Sequence, residues 1–428
     1  MLKTELLEII ANGENSGVEF KRDDIRAEVL ARVIVAMANL RGGMVLLGVE
    51  DDGTISGLQR EDLETWVMNA ILGHVHPMLL PFYEVVALDD GKRVAVVSIT
   101  MGTSKPYVLR HNGREDIYIR VGSTVRFADR DQQARLFATG GLLHSETMPV
   151  SGAAFDALDR ERLQDYLLSQ AGDREVPATE DAWLNRMVGL GFMTDVNGAA
   201  PVCTIAGLVL FGRTPRRFLR QAGIRWMAFS GVDKSYQALD DTILDGPLVG
   251  RFARQDGGSR ELIERGLIED LMDRLQGQPL VSTEGENLGD GLRRERIWHY
   301  PPEALREAVV NALAHRDWTR TLEVEIIAYS NRLEVLSPGA LQNSMTVEKM
   351  LAGQRSPRNT TIVGVLRDYG YVDARGMGVR NKIVPLVREA SGEEPGFEAT
   401  EDYVKVVLPK SDPAIQWPRA ARETSPPF

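Results

Sequence analysis

The sequence predicts an α+β protein built from more than one hydrophobic core, and three observations carry that expectation. The chain has 428 residues with 43% hydrophobic and 26% charged side chains, too many for one core and of ordinary globular composition. Its apolar period switches repeatedly between the helical and the strand repeat over the first 130 residues. The pattern then changes sharply at Tyr300-Pro301-Pro302, where a long helix precedes a strand-rich hairpin.

Taken in order, Thr4 to Ala11 predicts a short amphipathic helix stopped by Asn12-Gly13, and the alternation of Val18 and Phe20 predicts a strand. Residues 24–40 carry Val29, Val33 and Met37 on one helical line with Leu30 and Ile34 beside it; that helix is expected to stop at Gly42-Gly43. MVLLGV is a strand-length apolar run ending in an Asp51-Asp52-Gly53 turn. YEVVALDDGKRVAVVSI reads as a hairpin, and DIYIRVGS as a further strand. The expected boundaries are 1–140 for the first domain, 141–295 for a middle α/β region, 296–412 for a C-terminal α/β sandwich and 413–428 for a Pro-rich flexible tail.

No window approaches the ~18 uninterrupted apolar residues of a membrane span, and acids interrupt the N-terminal apolar stretch, so a cytoplasmic protein is expected. Cys203 is the single cysteine and lies in the apolar run PVCTIAGLVLFG. Buried packing is its expected role, and any metal must be held by oxygen or imidazole. The net charge of −11 argues against wholesale coating by nucleic acid. Between Lys105 and Arg135, however, Lys105, Arg110, Arg114, Arg120, Arg126, Arg130 and Arg135 outnumber Glu115, Asp116, Asp129 and Asp131, a local excess of three positive charges. This segment is the expected nucleic-acid contact, with an evenly solvated surface as the alternative.

In GENSGVEFKRD, Glu14 and Glu19 flank a Ser-Gly turn, and Lys21 shares a strand face with Glu19; Asp51 closes the second strand. Carboxylates gathered at neighbouring strand ends can hold Mg²⁺ or Mn²⁺, and a nearby lysine can steady charge on a phosphate, although acids at strand ends are also commonly just solvated. GENSGVEFKRD, VAMANLRGGMVLLGVEDDGTISGL, KPYVL and DIYIRVGSTVRFADRDQQARL, in that order across residues 10–138, resemble the AlbA-type domain of Schlafen proteins. The resemblance implies a metal-dependent endoribonuclease site formed by Glu14, Glu19 and Asp51 with Lys21, acting on structured RNA such as tRNA. Glu50 and Asp52 beside Asp51 blur that one assignment. Many bacterial relatives are described only as DNA-binding or regulatory, and animal Schlafens pair two such lobes, so a single lobe implies at least a homodimer.

In YPPEALREAVVNALAHRDW, Glu303, Glu307, Asn311 and His315 recur every fourth residue on an otherwise apolar helix. That polar stripe is expected to face a wet cavity, or else a solvent edge. Downstream, Gly376 and Gly378 in DARGMGVRNK open a helix and would expose backbone N–H groups to phosphate. The Glu-x-x-x-Asn pair resembles the N-box of GHKL ATPases. That likeness implies ATP with Mg²⁺ at Glu307, Asn311, His315, Gly376 and Gly378, the asparagine holding the metal and the glutamate positioning water. With AGLVLFGRTP, NRLEVLSPGAL and RSPRNTTIVGVL, the chain resembles bacterial proteins that fuse a Schlafen-type domain to a divergent GHKL domain, labelled ATP-binding, transcriptional-regulator or helicase-like, some with roles in defence against phage. The Asp-x-Gly-x-Gly adenine motif is missing, which implies loose base selection, and no Walker A motif supplies a helicase motor.

Three functions follow: a nuclease regulated by ATP, an ATP-sensing DNA-binding transcriptional regulator, and an interaction protein without chemistry. The first is preferred because a regulator has no need of Glu14, Glu19, Lys21 and Asp51 together.

Overall fold

The computed structural model describes residues 1–102, 104–140, 144–173, 175–196, 200–254, 260–286, 294–342, 345–372 and 377–411. They divide into two compact units, Met1–Leu143 with Gln342–Ser344, and His144–Leu341 with Met345–Phe428. Helices and sheets mix in both units, the α+β class the sequence predicts. No described helix is long and apolar enough to cross a membrane.

In the first unit a four-stranded sheet runs in the order Val18–Lys21, Gly42–Leu47, Arg93–Thr100, Phe82–Ala87. The first two strands are parallel, joined by the helix Ala27–Asn39, and the other pairings are antiparallel. Strand alternation gives the sheet two apolar faces. Phe20, Leu46, Val94 and Val96 pack with Leu6 of the helix Lys3–Asn12. Val45, Leu47, Ala95, Val97 and Ile99 pack with Leu30, Ile34 and Met37 and with the helix Leu63–His74. Each fully buried Leu, Ile or Met there is worth about 1.5–3 kcal/mol of transfer free energy. The helix stops at Asn39, three residues before Gly42-Gly43, and the glycines open the strand instead. Gly42 has φ +83°, and a Cβ on it would lie 2.3 Å from the Ile99 carbonyl oxygen, so only glycine fits. A separate hairpin pairs Tyr118–Val121 with Thr124–Phe127.

In the second unit a six-stranded sheet runs in the order Asp240–Leu244, Ile224–Ala228, Val324–Ala328, Arg332–Pro338, Tyr403–Pro409, Gly396–Ala399. Ile224–Ala228 pairs in parallel with Val324–Ala328, so hydrogen bonds of one sheet cross the boundary expected at residues 295/296. Residues from both sides of it share one core. Ile224, Trp226, Val324, Ile326, Val335 and Leu408 pack against Leu305, Ala308, Val309 and Ala312 of the helix Pro302–His315. The run AGLVLFG lies in the wholly buried helix Ile205–Phe211, begun by Thr204, whose hydroxyl accepts the Gly207 N–H. Cys203 is buried beside it and donates to the Ala154 carbonyl, and burial pushes its thiol up to about 12. Residues 413–428, expected as a flexible tail, lie outside the described residues.

Candidate functional site

The strand Val18–Lys21 turns Phe20 into one core and presents Glu19 and Lys21 on its other face, as period-two alternation requires. The Lys21 ammonium lies 2.9 Å from Glu19 Oε1, 3.4 Å from Asp51 Oδ1 and 3.7 Å from Glu14 Oε1. All four residues expected at this site therefore meet, with the lysine at their centre. Burial pulls the Lys21 pKa down, but hydrogen bonding and attraction to Glu19, then Glu14 and Asp51, outweigh it, and the net shift is upward. Of the three neighbouring acids, Asp51 reaches Lys21, Glu50 lies 3.9 Å from Arg22, and Asp52 accepts the Thr54 N–H. Glu14 Oε1 also accepts the Phe20 N–H at 2.8 Å. Glu19 is buried, and its second oxygen lies 2.6 Å from Arg120 Nη1.

That geometry bears on metal binding. Mg²⁺ and Mn²⁺ take carboxylate oxygens at roughly 2.0–2.3 Å, and here these oxygens already face an ammonium, a guanidinium and a backbone amide. Among the described residues no group of three His, Cys, Asp or Glu side chains is placed to hold a metal ion. As arranged, the set fits Lys21 as its cation rather than a divalent ion.

The basic segment divides into two populations. Arg120, expected on the nucleic-acid surface, is buried: its Nε and Nη2 donate to the Asn15 carbonyl and Nη2 also to that of Val18. It clamps the hairpin onto the Glu14–Glu19 turn. Lys105 is likewise buried, donating to the Leu40 carbonyl at 2.7 Å, and Arg110 is paired with Glu115 at 2.5 Å. Arg114, Arg126, Arg130 and Arg135 are exposed, and none pairs with a carboxylate among the described residues.

In the second unit the helix Pro302–His315 is begun by Pro302 at its first turn, where a missing N–H costs nothing. Glu307 and Asn311, one turn apart, hydrogen-bond: the Asn311 Nδ2 donates to Glu307 Oε1 at 3.2 Å. Glu307 is buried and lies directly against Gly378, where a Cβ would stand 1.7 Å from Oε1. Gly378 begins the turn that continues into a π-helical stretch, Val379–Ile383, and the helix Val384–Ser391, and π-type turns gather at functional sites. Lys382 from that stretch reaches to 3.7 Å from Glu307 Oε2 and stays partly exposed. The structure therefore brings together Glu307, Asn311 and Gly378. His315, exposed at the helix end, bonds to neither side chain among the described residues. Gly376 lies outside the described residues.

Sequence reasoning missed Lys382 as a partner of Glu307, although it stands in the GMGVRNK motif. It also missed the clasp behind the helix. Asn359 is buried and donates to the Ala314 and Arg316 carbonyls at the helix C-terminus, while Arg358 pairs with buried Asp317 at 3.2 Å. Glu146, from a segment 214 residues away, accepts the Thr361 and Ile362 N–H groups at the start of the helix Thr360–Asp368. Burial raises its pKa against the pull of those donors. RSPRNT carries no catalytic signature, so only contact between distant segments explains it.

Comparison with known proteins agrees with this division. Residues 14–129 match the family model described as "Schlafen, AlbA_2", and residues 322–408 match the one described as "Putative ATP-dependent DNA helicase recG C-terminal". The chain is thus similar to a Schlafen AlbA_2 domain over its first matched segment and to the C-terminal part of a putative ATP-dependent DNA helicase over its second. No curated protein matches it. Among solved structures, the DIP2311 protein from Corynebacterium diphtheriae is similar at 20% identity and a TM-score of 0.42, over 96% of this chain and 80% of that one. The N-terminal domain of a "Putative ATP-dependent DNA Helicase RecG-related Protein" from Nitrosomonas europaea is similar at 26% identity and a TM-score of 0.24, over 28% of this chain and 89% of that one.

Proposed function

We propose that this chain binds nucleic acid through its N-terminal unit and uses ATP bound in its C-terminal unit to adjust that binding. The observation that carries the reading is the seating of Glu307, hydrogen-bonded by Asn311, against Gly378, with Lys382 at hand. A glycine backbone pressed on a buried carboxylate leaves no side chain between them, and partly exposed Lys382 can turn from Glu307 to a phosphate. Because the Asn311 N–H is spent on Glu307, its amide oxygen is the donor that would hold the Mg²⁺ accompanying ATP. That ion would supply charge neutralisation to the phosphates. Glu307 would orient a water, giving at most slow hydrolysis.

A second reading, cleavage of RNA such as tRNA, is favoured by the convergence of Glu14, Glu19 and Asp51 on Lys21. Lys21 would steady charge on a phosphate, and Mg²⁺ or Mn²⁺ would have to displace its ammonium from the carboxylates. A second copy of the chain, completing a paired lobe, belongs to either reading.

The test titrates ATP with Mg²⁺ into the protein calorimetrically, then measures labelled tRNA and duplex DNA binding with and without ATP. The expected result is saturable heat and at least a fivefold change in nucleic-acid affinity, both lost in Asn311→Ala. Absent heat, or unchanged affinity, would reduce the second unit to a structural role. Incubating the same RNA with Mn²⁺, wild type against Glu19→Gln, decides the cleavage reading.

A further inference from the structure

We infer that two copies of this chain pair antiparallel along the strand Phe82–Ala87, so that their four-stranded sheets join into one. This strand is the last of its sheet, and the turn after it sets which backbone groups face outward. The Leu88 N–H donates to the Lys92 carbonyl at 2.9 Å, so that pair is a hydrogen-bonded one. Alternation then turns the N–H and C=O of Phe82, Glu84 and Val86 inward to Arg93–Thr100, and those of Tyr83, Val85 and Ala87 outward. No strand takes that outward row among the described residues.

Open edges are ordinarily guarded, and the rest of the molecule shows how. At the opposite edge of the same sheet Arg120 donates to the Asn15 and Val18 carbonyls. In the second unit the edge strand Asp240–Leu244 carries two aspartates. Phe82–Ala87 has no Lys, Arg or Pro and no bulge in its register. Its one charge, Glu84, is held by the Met1 ammonium at 2.6 Å. Met78, Leu80, Phe82 and Val85 stand exposed on the strand and just before it, Phe82 at 65%. Those four residues leave roughly 450 Å² of each copy in water, about 900 Å² for two, and the paired backbones carry the total toward the ~1,200 Å² of a stable interface.

The row fits its own copy. Pro81 offers no N–H at one end and Asp89 enters the turn at the other, so the open groups are centred on Val85. A two-fold axis through Val85 sets Val85 against itself and Tyr83 against Ala87 of the second copy, and every outward N–H meets an outward C=O. Centring on Tyr83 would set Val85 against Pro81, and centring on Ala87 would set it against Asp89; both lose bonds. In the Val85 register Phe82 meets Leu88, large Tyr83 meets small Ala87, and Glu84 meets Val86 rather than a second acid. Two chains of net charge −11 repel each other, and this row lets them meet without opposing like charges.

The experiment is sedimentation equilibrium of the full chain, wild type against Val85→Pro and Val85→Lys. The Val85 N–H makes no bond inside the sheet, so the fold accepts proline there while each copy loses its central outward donor. Wild type should be mainly dimer at about 20 µM chain. Both variants should weaken the dimer at least tenfold with an unchanged far-ultraviolet circular dichroism spectrum. In Val85→Cys the two thiols meet at the axis, and a short bismaleimide should join the copies; Cys203 is buried, so wild type should stay unjoined. A monomeric wild type, a dimer that survives both Val85→Pro and Val85→Lys, or no joining of Val85→Cys overturns the pairing. Nucleic-acid and ATP binding are read by separate assays, so either result leaves the proposed function to stand or fall by itself.

Discussion

Two acid clusters, one in each unit, are built on opposite principles. Around Lys21 the charges answer one another: Glu19 is closed between Lys21 and Arg120, and Glu14 is tied to a backbone amide. Around Glu307 the carboxylate is met by a neutral amide, a glycine backbone and a lysine 3.7 Å away. In sequence both read as a pair of polar residues at suggestive spacing. The structure separates them by what surrounds the acid. A carboxylate closed between cations braces the fold, whereas Glu307 has a neutral amide, a glycine backbone and a partly exposed lysine beside it.

If the first cluster is a brace, the largest effect should come from its least exposed member. Arg120→Ala removes three hydrogen bonds to two carbonyls and leaves buried Glu19 facing Lys21 alone. The expected loss is about 3–5 kcal/mol in urea unfolding. Arg126→Ala, six residues on and exposed, should stay within about 0.5 kcal/mol while weakening nucleic-acid binding. A fully stable Arg120→Ala would break the contrast between the clusters.

The second cluster should fail differently. In Gly378→Ala the new methyl would stand 1.7 Å from the Glu307 carboxylate and 2.9 Å from its Cγ, so the buried side chain must move. We expect about 1–3 kcal/mol of destabilisation from overpacking, with ATP affinity falling at least tenfold by calorimetry. Unchanged affinity would place the nucleotide elsewhere. Asn359→Ala sharpens the point from behind the helix, leaving two buried carbonyls unpaired. It should cost about 2 kcal/mol in the same unfolding assay yet leave ATP affinity within about twofold.

What was legible in the sequence follows the range of the contacts. The helices Ala27–Asn39 and Pro302–His315 and the hairpin of Phe82–Ala87 with Arg93–Thr100 announce themselves locally, through apolar period and turn residues. So does the sharing of one face by Glu19 and Lys21. Arg120 was misjudged because the carbonyls that bind it lie 102 and 105 residues away; in sequence it is indistinguishable from Arg126. That one sheet takes strands from both sides of the 295/296 boundary was hidden for the same reason. A parallel pairing between Ile224–Ala228 and Val324–Ala328 leaves no mark on the chain between them.

The smallest effect tests the balance of charge around Lys21 itself. Its pKa is raised in the folded protein, because Glu19, Glu14 and Asp51 together outweigh the desolvation that pulls it down. A raised lysine contributes stability that is fully present below its unfolded value, about 10.5, and is lost as pH rises through the higher folded value. The difference in unfolding free energy between wild type and Lys21→Met should therefore be flat from pH 7 to about pH 10 and shrink above it. Lys21 is partly exposed and solvent screens its pairs, so the term should stay under about 1 kcal/mol and diminish in 0.5 M salt. The opposite slope, with wild type gaining on the variant as the pH rises past 10, would mean that burial dominates. The carboxylates would then not be gathered on this ammonium, and they would be open to a cation of another kind.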